Sequence, residues 1–255
     1  MARMDARLRF EESIGAGLVP AGVFVTSIDP AVTAAVATAG IDFVIIDREH
    51  GPIDVQATAN HVRAAEANGI TPLVRVLAND ATQIQATLDV GAHGVIVPKI
   101  GTVDDARAAL RATQYAPGGR GMCPVVEGAR WATGDSWHEH RAASNENVLL
   151  IPLIETKAGV DNLAEIVAVE GIDYVFYGLA DLAQDMDLPG GIFNPDSVRE
   201  LTRIWDECVE VVHAAGKRIG APLGIGLEHA SFGTIKNDLS LMIIQLRSEL
   251  ARMRT

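Results

Sequence analysis

Short apolar runs rich in β-branched residues recur along this chain at intervals of about 20 to 35 residues, each leading into an alanine-rich stretch with helical periodicity. That alternation marks a parallel sheet, because parallel neighbours need a crossover and a helix is the usual one. Eight runs read as strands: Gly22–Ser27, Asp42–Asp47, Leu73–Val76, Gly94–Lys99, Val148–Glu155, Tyr174–Gly178, Arg218–Pro222 and Leu241–Leu246. Between them the periodicity predicts helices such as Val55–Asn68, Thr82–Val90, Val103–Thr113, Val160–Val169 and Ser197–Ala215. Gly40, Gly69, Gly91, Gly171 and Gly216 stand where helices should end. Strand cores such as FVII, GVIV, VLLI and YVFY are apolar throughout, so both faces of the sheet are expected to be covered. Eight units in 255 residues fit a single α/β domain, a (β/α)8 TIM barrel over residues 1–255, better than an open sheet.

Charge and composition narrow the partners. With 33 acidic against 21 basic residues the formal charge is −12, a field that repels phosphate backbones, and aromatics make up only 5% of the chain. Nucleic acid is therefore excluded, whereas a small anion is not, because a buried arginine or a metal reverses the potential inside a pocket. Two cysteines, Cys123 and Cys208, form neither a disulfide framework nor a metal motif and fit a reducing compartment. No run approaches the ~18 apolar residues of a membrane span, and the opening MARMDARLRFEES lacks a signal peptide's apolar core; a cytoplasmic protein with no membrane partner is expected.

Two segments break the rhythm. Tyr115–Asn147 reads as a long active-site connection rich in Gly, Arg, Trp and His; its Pro117-Gly118-Gly119-Arg120-Gly121 lacks the Lys-Ser/Thr of a P-loop. His138 and His140 within it read as solvated loop residues, His61, His213 and His229 as helical, and His93 as part of a turn. Leu241–Met253 runs into a basic helical tail suited to capping the barrel or packing on another subunit.

Reactive groups of a barrel lie at the C-terminal ends of its strands, so the polar residues that terminate the apolar runs are the informative ones. They are Asp47, Arg48, Glu49 and His50 after the second strand, Arg75 after the third, Lys99 after the fourth, Glu155 after the fifth, and Gly178 to Asp181 after the sixth. Glu155 and Asp181 end consecutive strands, and strands are ~4.8 Å apart, so the two carboxylates can converge on one hard cation, Mg²⁺ or Mn²⁺, with positions left for a chelating substrate. Capping of the helices that follow is the competing explanation. Arg75 offers a planar fork to a substrate carboxylate, or else an internal salt bridge to Asp47 or Glu49. His50 is the natural proton-transfer group, with Asp47 three residues earlier as a carboxylate to orient it. Lys99 is the rival, since a lysine at a strand end can form a Schiff base with a ketoacid without any metal.

In these stretches the chain resembles the HpcH/HpaI aldolases, metal-dependent class II pyruvate aldolases built on a (β/α)8 barrel. The resemblance rests on Phe43 to Pro52 (FVIIDREHGP), Pro72 to Val76 (PLVRV), Asp89 to Lys99 (DVGAHGVIVPK), Arg111-Ala112-Thr113 leading to Arg120-Gly121, Ile154 to Gly159 (IETKAG), and Val169 to Asp173 (VEGID) through Asp181-Leu182, together spanning roughly residues 15–225. It implies Glu155 and Asp181 as ligands of Mg²⁺ or Mn²⁺, with Co²⁺ as a further candidate. It also implies His50 as the base assisted by Asp47, Arg75 as the group that holds or polarises pyruvate, and the backbone around Gly178, Leu179 and Ala180 as the substrate's anion site. The implied reaction cleaves or forms a C–C bond in a 4-hydroxy-2-keto acid through a metal-stabilised pyruvate enolate, with an aldehyde or other carbonyl compound as the second partner. The implied assembly is a homo-hexamer, a trimer of dimers that exchange the C-terminal helix.

Four positions depart from that pattern. Leu153 stands where many relatives carry a glutamine facing pyruvate; Gly178-Leu179-Ala180-Asp181-Leu182 keeps the aspartate of Gly-Pro-x-Asp-Leu but loses the proline; Met122-Cys123-Pro124-Val125 follows Arg120-Gly121 where small residues are usual; and Leu239–Leu246, read as the last strand, lacks a Gly-Val-Asp ending. The departures keep two alternatives in view: oxaloacetate decarboxylation or a citrate-synthase-like Claisen condensation on the same fold, and a non-catalytic ketoacid-binding homologue.

Overall fold

The structure, a computed structural model, describes residues 6–133 and 136–254. Eight parallel strands close on themselves in chain order: β1 (Ala21–Val25), β2 (Phe43–Asp47), β3 (Thr71–Arg75), β4 (Gly94–Val97), β5 (Leu149–Ile154), β6 (Tyr174–Tyr177), β7 (Arg218–Pro222) and β8 (Phe232–Asn237), with β8 pairing back onto β1. Around them run α1 (Ala6–Gly15), α2 (Ala31–Ala37), α3 (Val55–Ala67), α4 (Ala81–Asp89), α5 (Val103–Thr113), α6 (Trp137–Asn147), α7 (Lys157–Asp161), α8 (Leu163–Val167), α9 (Leu179–Asp185), α10 (Pro195–Ala214) and α11 (Asp238–Met253). The five glycines expected at helix ends all adopt positive φ.

Alternation along each strand divides the core in two. Phe43, Ile45, Leu73, Ile96, Leu149, Ile151, Leu153, Tyr174, Phe176 and Phe232 fill the barrel, whereas Val44, Ile46, Val74, Val95, Val97, Leu150, Ile154, Val175 and Tyr177 meet the helices outside. Large inward rings need small neighbours: a Cβ on Gly22 would lie 2.3 Å from the Phe43 ring. Below the strands, Phe10 of α1 is 1% exposed and packs against Phe43, Tyr174 and Phe232 with ring centroids 5.2, 6.1 and 5.6 Å away, closing the lower end.

The eighth strand is displaced from its expected place. Leu241–Leu246 lies inside α11, and the strand is Phe232–Asn237. The strand is hard to read because only Phe232, Gly233 and Thr234 are buried and its outer half, Ile235-Lys236-Asn237, is short of apolar residues, while the more apolar LMII run is a helical stripe. Leu239–Leu246, which lacks a Gly-Val-Asp ending, is thus helix, and the strand itself ends at Asn237 with Asp238 next to it. On α11, Leu239, Met242, Ile243, Leu246, Leu250 and Met253 are spaced three or four apart and exposed.

Other expectations shift locally. The helix expected over Val160–Val169 is two short ones sharing Asn162. The long connection after α5 is largely structured, with a 3-10 turn at Glu127–Ala132 and then α6, whose N-terminus carries a capping box between Ser136 and Glu139. His138 and His140 accordingly sit on a helix, where the His140 ring packs 5.7 Å from Tyr115 and 5.4 Å from Trp137. His229 lies in a turn at φ 66°, not in a helix.

Candidate active site

The same alternation that fills the barrel delivers the candidate residues to its mouth. Asp47, Arg75, Glu155 and Gly178 each continue the inward-facing series of their strand, after Ile45, Leu73, Leu153 and Phe176. Strands β2 and β3 pair in register so that Asp47 lies opposite Arg75. Arg75 donates Nε to Asp47 Oδ1 at 2.9 Å and Nη2 to Oδ2 at 2.7 Å, and its Nη1 is 3.3 Å from Glu49 Oε2. The guanidinium also stands over the Phe24 ring, 4.9 Å from the centroid. Burial opposes its charge, but Asp47, Glu49 and Glu155 outweigh that and raise its basicity. The internal salt bridge expected as the alternative role of Arg75 is thus present. Asp47 takes two of its five N–H groups.

Asp47 does not orient the histidine ring as expected. Its Oδ1 also accepts the backbone amides of Glu49 at 3.1 Å and His50 at 3.3 Å, so it shapes the turn after β2. The carboxylate facing the imidazole is Glu49, whose Oε2 lies 3.8 Å from His50 Nε2; the His50 side chain is 55% exposed at the rim. The sequence presents Glu49 as a strand-end carboxylate and a partner for Arg75, not as the group beside the imidazole. It lies two residues beyond the last residue of β2, so the turn and not the strand sets its position.

Glu155 is 1% exposed, and its Oε1 accepts the Lys99 amide at 2.9 Å. Burial, then repulsion from Glu49 and Asp181, pushes its carboxyl up to about 7, against the pull of the Lys99 amide and Arg75. Glu49 is raised by burial too, with Asp181 adding to the effect and Arg75, His50 and Lys99 opposing it. Gly178 explains how Glu155 fits: a Cβ there would meet Glu155 Cβ at 2.6 Å and Oε2 at 2.9 Å. Next to it Leu153 is 2% exposed and forms an apolar wall. Leu179 and Ala180 open the first turn of α9, and Asp181 completes it.

Glu155, raised by burial and by repulsion from Glu49 and Asp181, and a buried Glu49 Oε2 without a hydrogen-bond partner make the mouth rich in the oxygen donors that a hard divalent cation takes. Among the described residues no three His, Cys, Asp or Glu side chains are placed to enclose an ion. The residues present fit an open site that leaves positions for water and substrate. Lys99 does not fit the Schiff-base role, which requires a desolvated amine: its side chain is 67% exposed.

A closed α/β barrel with an acidic, arginine-bearing mouth is the architecture of an enzyme acting on small molecules. The chain belongs to the HpcH/HpaI aldolase/citrate lyase family, whose model matches residues 20–220, and is a carbon–carbon lyase. It is 33% identical over 213 residues to a 2-keto-3-deoxy-L-rhamnonate aldolase of Salmonella gallinarum (strain 287/91 / NCTC 13346), covering 83% of this chain and 77% of that one. Among solved structures it resembles a HpcH/HpaI aldolase/citrate lyase family protein from Burkholderia cenocepacia J2315, at 28% identity with a TM-score of 0.86, covering 98% and 100% of the two chains. It also resembles the citrate synthase SbnG, at 28% identity with a TM-score of 0.81 and 96% of each chain covered.

Proposed function

We propose that this lyase is a metal-dependent class II aldolase that cleaves or forms the C3–C4 bond of a 4-hydroxy-2-keto acid, with pyruvate and an aldehyde as the other partners. The observation that carries the reading is the buried Glu155 carboxylate, set against Glu49 and Asp181 and facing a clamped Arg75. Glu155 and Asp181 would hold Mg²⁺ or Mn²⁺, with Co²⁺ a weaker candidate, and such an ion supplies a Lewis acid for the keto group. Arg75, fixed by Asp47, turns its remaining N–H groups to the oxygen where negative charge develops when the bond breaks. His50 takes the proton of the 4-hydroxyl in cleavage and returns it in condensation, with Glu49 as its neighbouring carboxylate. The first-turn amides at Leu179 and Ala180, freed of side-chain obstruction by Gly178, receive the substrate carboxylate, and Leu153 keeps the floor dry.

Deuterium exchange into the methyl group of pyruvate, followed by NMR with Mg²⁺ or Mn²⁺ and then with a chelator, tests this without knowledge of the aldehyde. Exchange that stops on chelation is the expected result; no exchange under either condition would overturn it. Leu153, which offers no hydrogen bond, and the likeness to citrate synthase SbnG favour one second reading, oxaloacetate decarboxylation or Claisen condensation. Oxaloacetate turnover with and without an acyl-CoA separates the two.

The exposed apolar stripe of α11 supports a homo-hexamer, a trimer of dimers in which this helix packs on a neighbouring subunit. No helix of the described residues is long and apolar enough to cross a membrane. Two free cysteines, Cys123 and Cys208, support a reducing, cytoplasmic setting.

A further inference from the structure

Lys99 remains at the mouth with no part in the chemistry above. It follows β4 with φ 56°, a left-handed conformation that glycine or asparagine adopts more readily than lysine. Backbone strain of this kind clusters at functional positions, and here the amide explains the backbone: it donates to Glu155 at 2.9 Å. It does not explain the side chain. Any residue at position 99 except proline has that amide, and Gly would supply it with less strain.

The ammonium group differs from every other cation at the site. Arg75 is committed to Asp47 and Glu49, and Arg48 donates Nη1 to Thr87 Oγ1 of α4. Lys99 Nζ has Glu49 Oε1 at 4.0 Å, the outer limit of an ion pair, while its side chain is largely exposed. Its amide fixes the root of the side chain beside Glu155, and a four-carbon stem of about 6 Å carries three N–H donors from there across the opening. A 2-keto acid anchored between Glu155 and Arg75 extends its chain beyond C3 toward this opening, because Phe10 and the aromatic cluster close the other end.

We infer that Lys99 is a specificity residue that recognises a second carboxylate, on the part of the substrate beyond C3, and so selects 2-oxo diacids over 2-oxo monoacids of the same shape. The inference rests on the proposed 2-keto acid function of the site. Because the contact is at an exposed rim, it is screened by salt and modest in size.

The test compares the dissociation constants of 2-oxoglutarate and its monocarboxylate isostere 5-methyl-2-oxohexanoate, by isothermal titration calorimetry with Mg²⁺ present. The unaltered protein should favour the diacid by about five- to tenfold at low salt, less at high salt. Lys99→Met should abolish that preference and Lys99→Arg should retain most of it. Both variants keep the amide that holds Glu155, and circular dichroism checks their folding. Equal affinities in the unaltered protein, or a preference that Lys99→Met leaves in place, would overturn the assignment. Pyruvate exchange in the unaltered protein separates the two levels: if it occurs while the diacid preference is missing, only the role of Lys99 falls, and if it is absent, both fall.

Discussion

Gly178 is the position where one added methyl group should separate stability from metal binding. Its backbone, at φ −100° and ψ 80°, is open to alanine, so Gly178→Ala carries no left-handed penalty and gains about 0.4–1 kcal/mol from a less flexible unfolded chain. The added Cβ would lie 2.6 Å from Glu155 Cβ, 2.9 Å from Glu155 Oε2 and 3.3 Å from Leu153 Cδ1. Ordinary contact needs about 3.5–4.0 Å, so the Glu155 side chain must move by roughly 1 Å or the strand ends must part. Overpacking of this kind typically costs about 1–3 kcal/mol, leaving a net loss of about 0–2.5 kcal/mol, which the fold should tolerate. A displacement of that size in a ligand should weaken Mn²⁺ binding by at least the 10- to 100-fold that loss of a ligand's supporting contact produces. Urea unfolding of the metal-free protein and a Mn²⁺ titration followed by electron paramagnetic resonance measure the two terms separately. A Gly178→Ala protein that binds Mn²⁺ as tightly as the parent would refute the claim that this glycine makes room for the ligand carboxylate.

Asp181→Ala should abolish metal-dependent pyruvate exchange, whereas His50→Ala should retain Mn²⁺ affinity and lose retro-aldol proton transfer; calorimetry and exchange NMR read the two. Arg75→Lys should lose the bidentate clamp on buried Asp47, lowering stability by about 2–4 kcal/mol in urea and weakening 2-keto acid binding. With its folded carboxyl near 7 against about 4.5 unfolded, Glu155 favours the metal-free fold below pH 4.5 and loses that contribution as the pH rises through 7. The change is about 3 kcal/mol at most and should vanish in Glu155→Gln, as urea melts at pH 5 and 8 would show. A Met242→Glu, Leu246→Glu double variant should shift the sedimentation coefficient to a smaller species by charging the α11 stripe.

How much of this was legible in the sequence depended on periodicity. Strands β2, β4, β5 and β6 announced themselves because both of their faces are buried, which makes them continuous apolar words, and the residues that close β2 and β3 or follow β5 proved to be the inward-facing Asp47, Arg75 and Glu155. The eighth strand was hidden because only its first three residues are buried and Lys236 and Asn237 interrupt its apolar run, so the apolar stripe of the next helix outcompeted it. Side-chain pairing was less accessible than position. Asp47 and His50 are three apart in sequence, yet strand register hands the carboxylate to Arg75; the sequence offers both partners to Asp47, and the alignment of β2 with β3 chooses between them. Glu49 was legible as a partner for Arg75 but not as the neighbour of His50, because its place in the mouth comes from the turn that Asp47 itself pins.

The aromatic plug formed by Phe10 turns the barrel into a vessel with one door. Whatever binds at Glu155 and Arg75 lies deeper than whatever meets His50 and Lys99 at the rim, so traffic is last in, first out. In the cleavage direction the aldehyde leaves before pyruvate, and in condensation pyruvate enters first. A kinetic order that in other enzymes requires a moving lid is here a consequence of ten residues of helix stopping the far end.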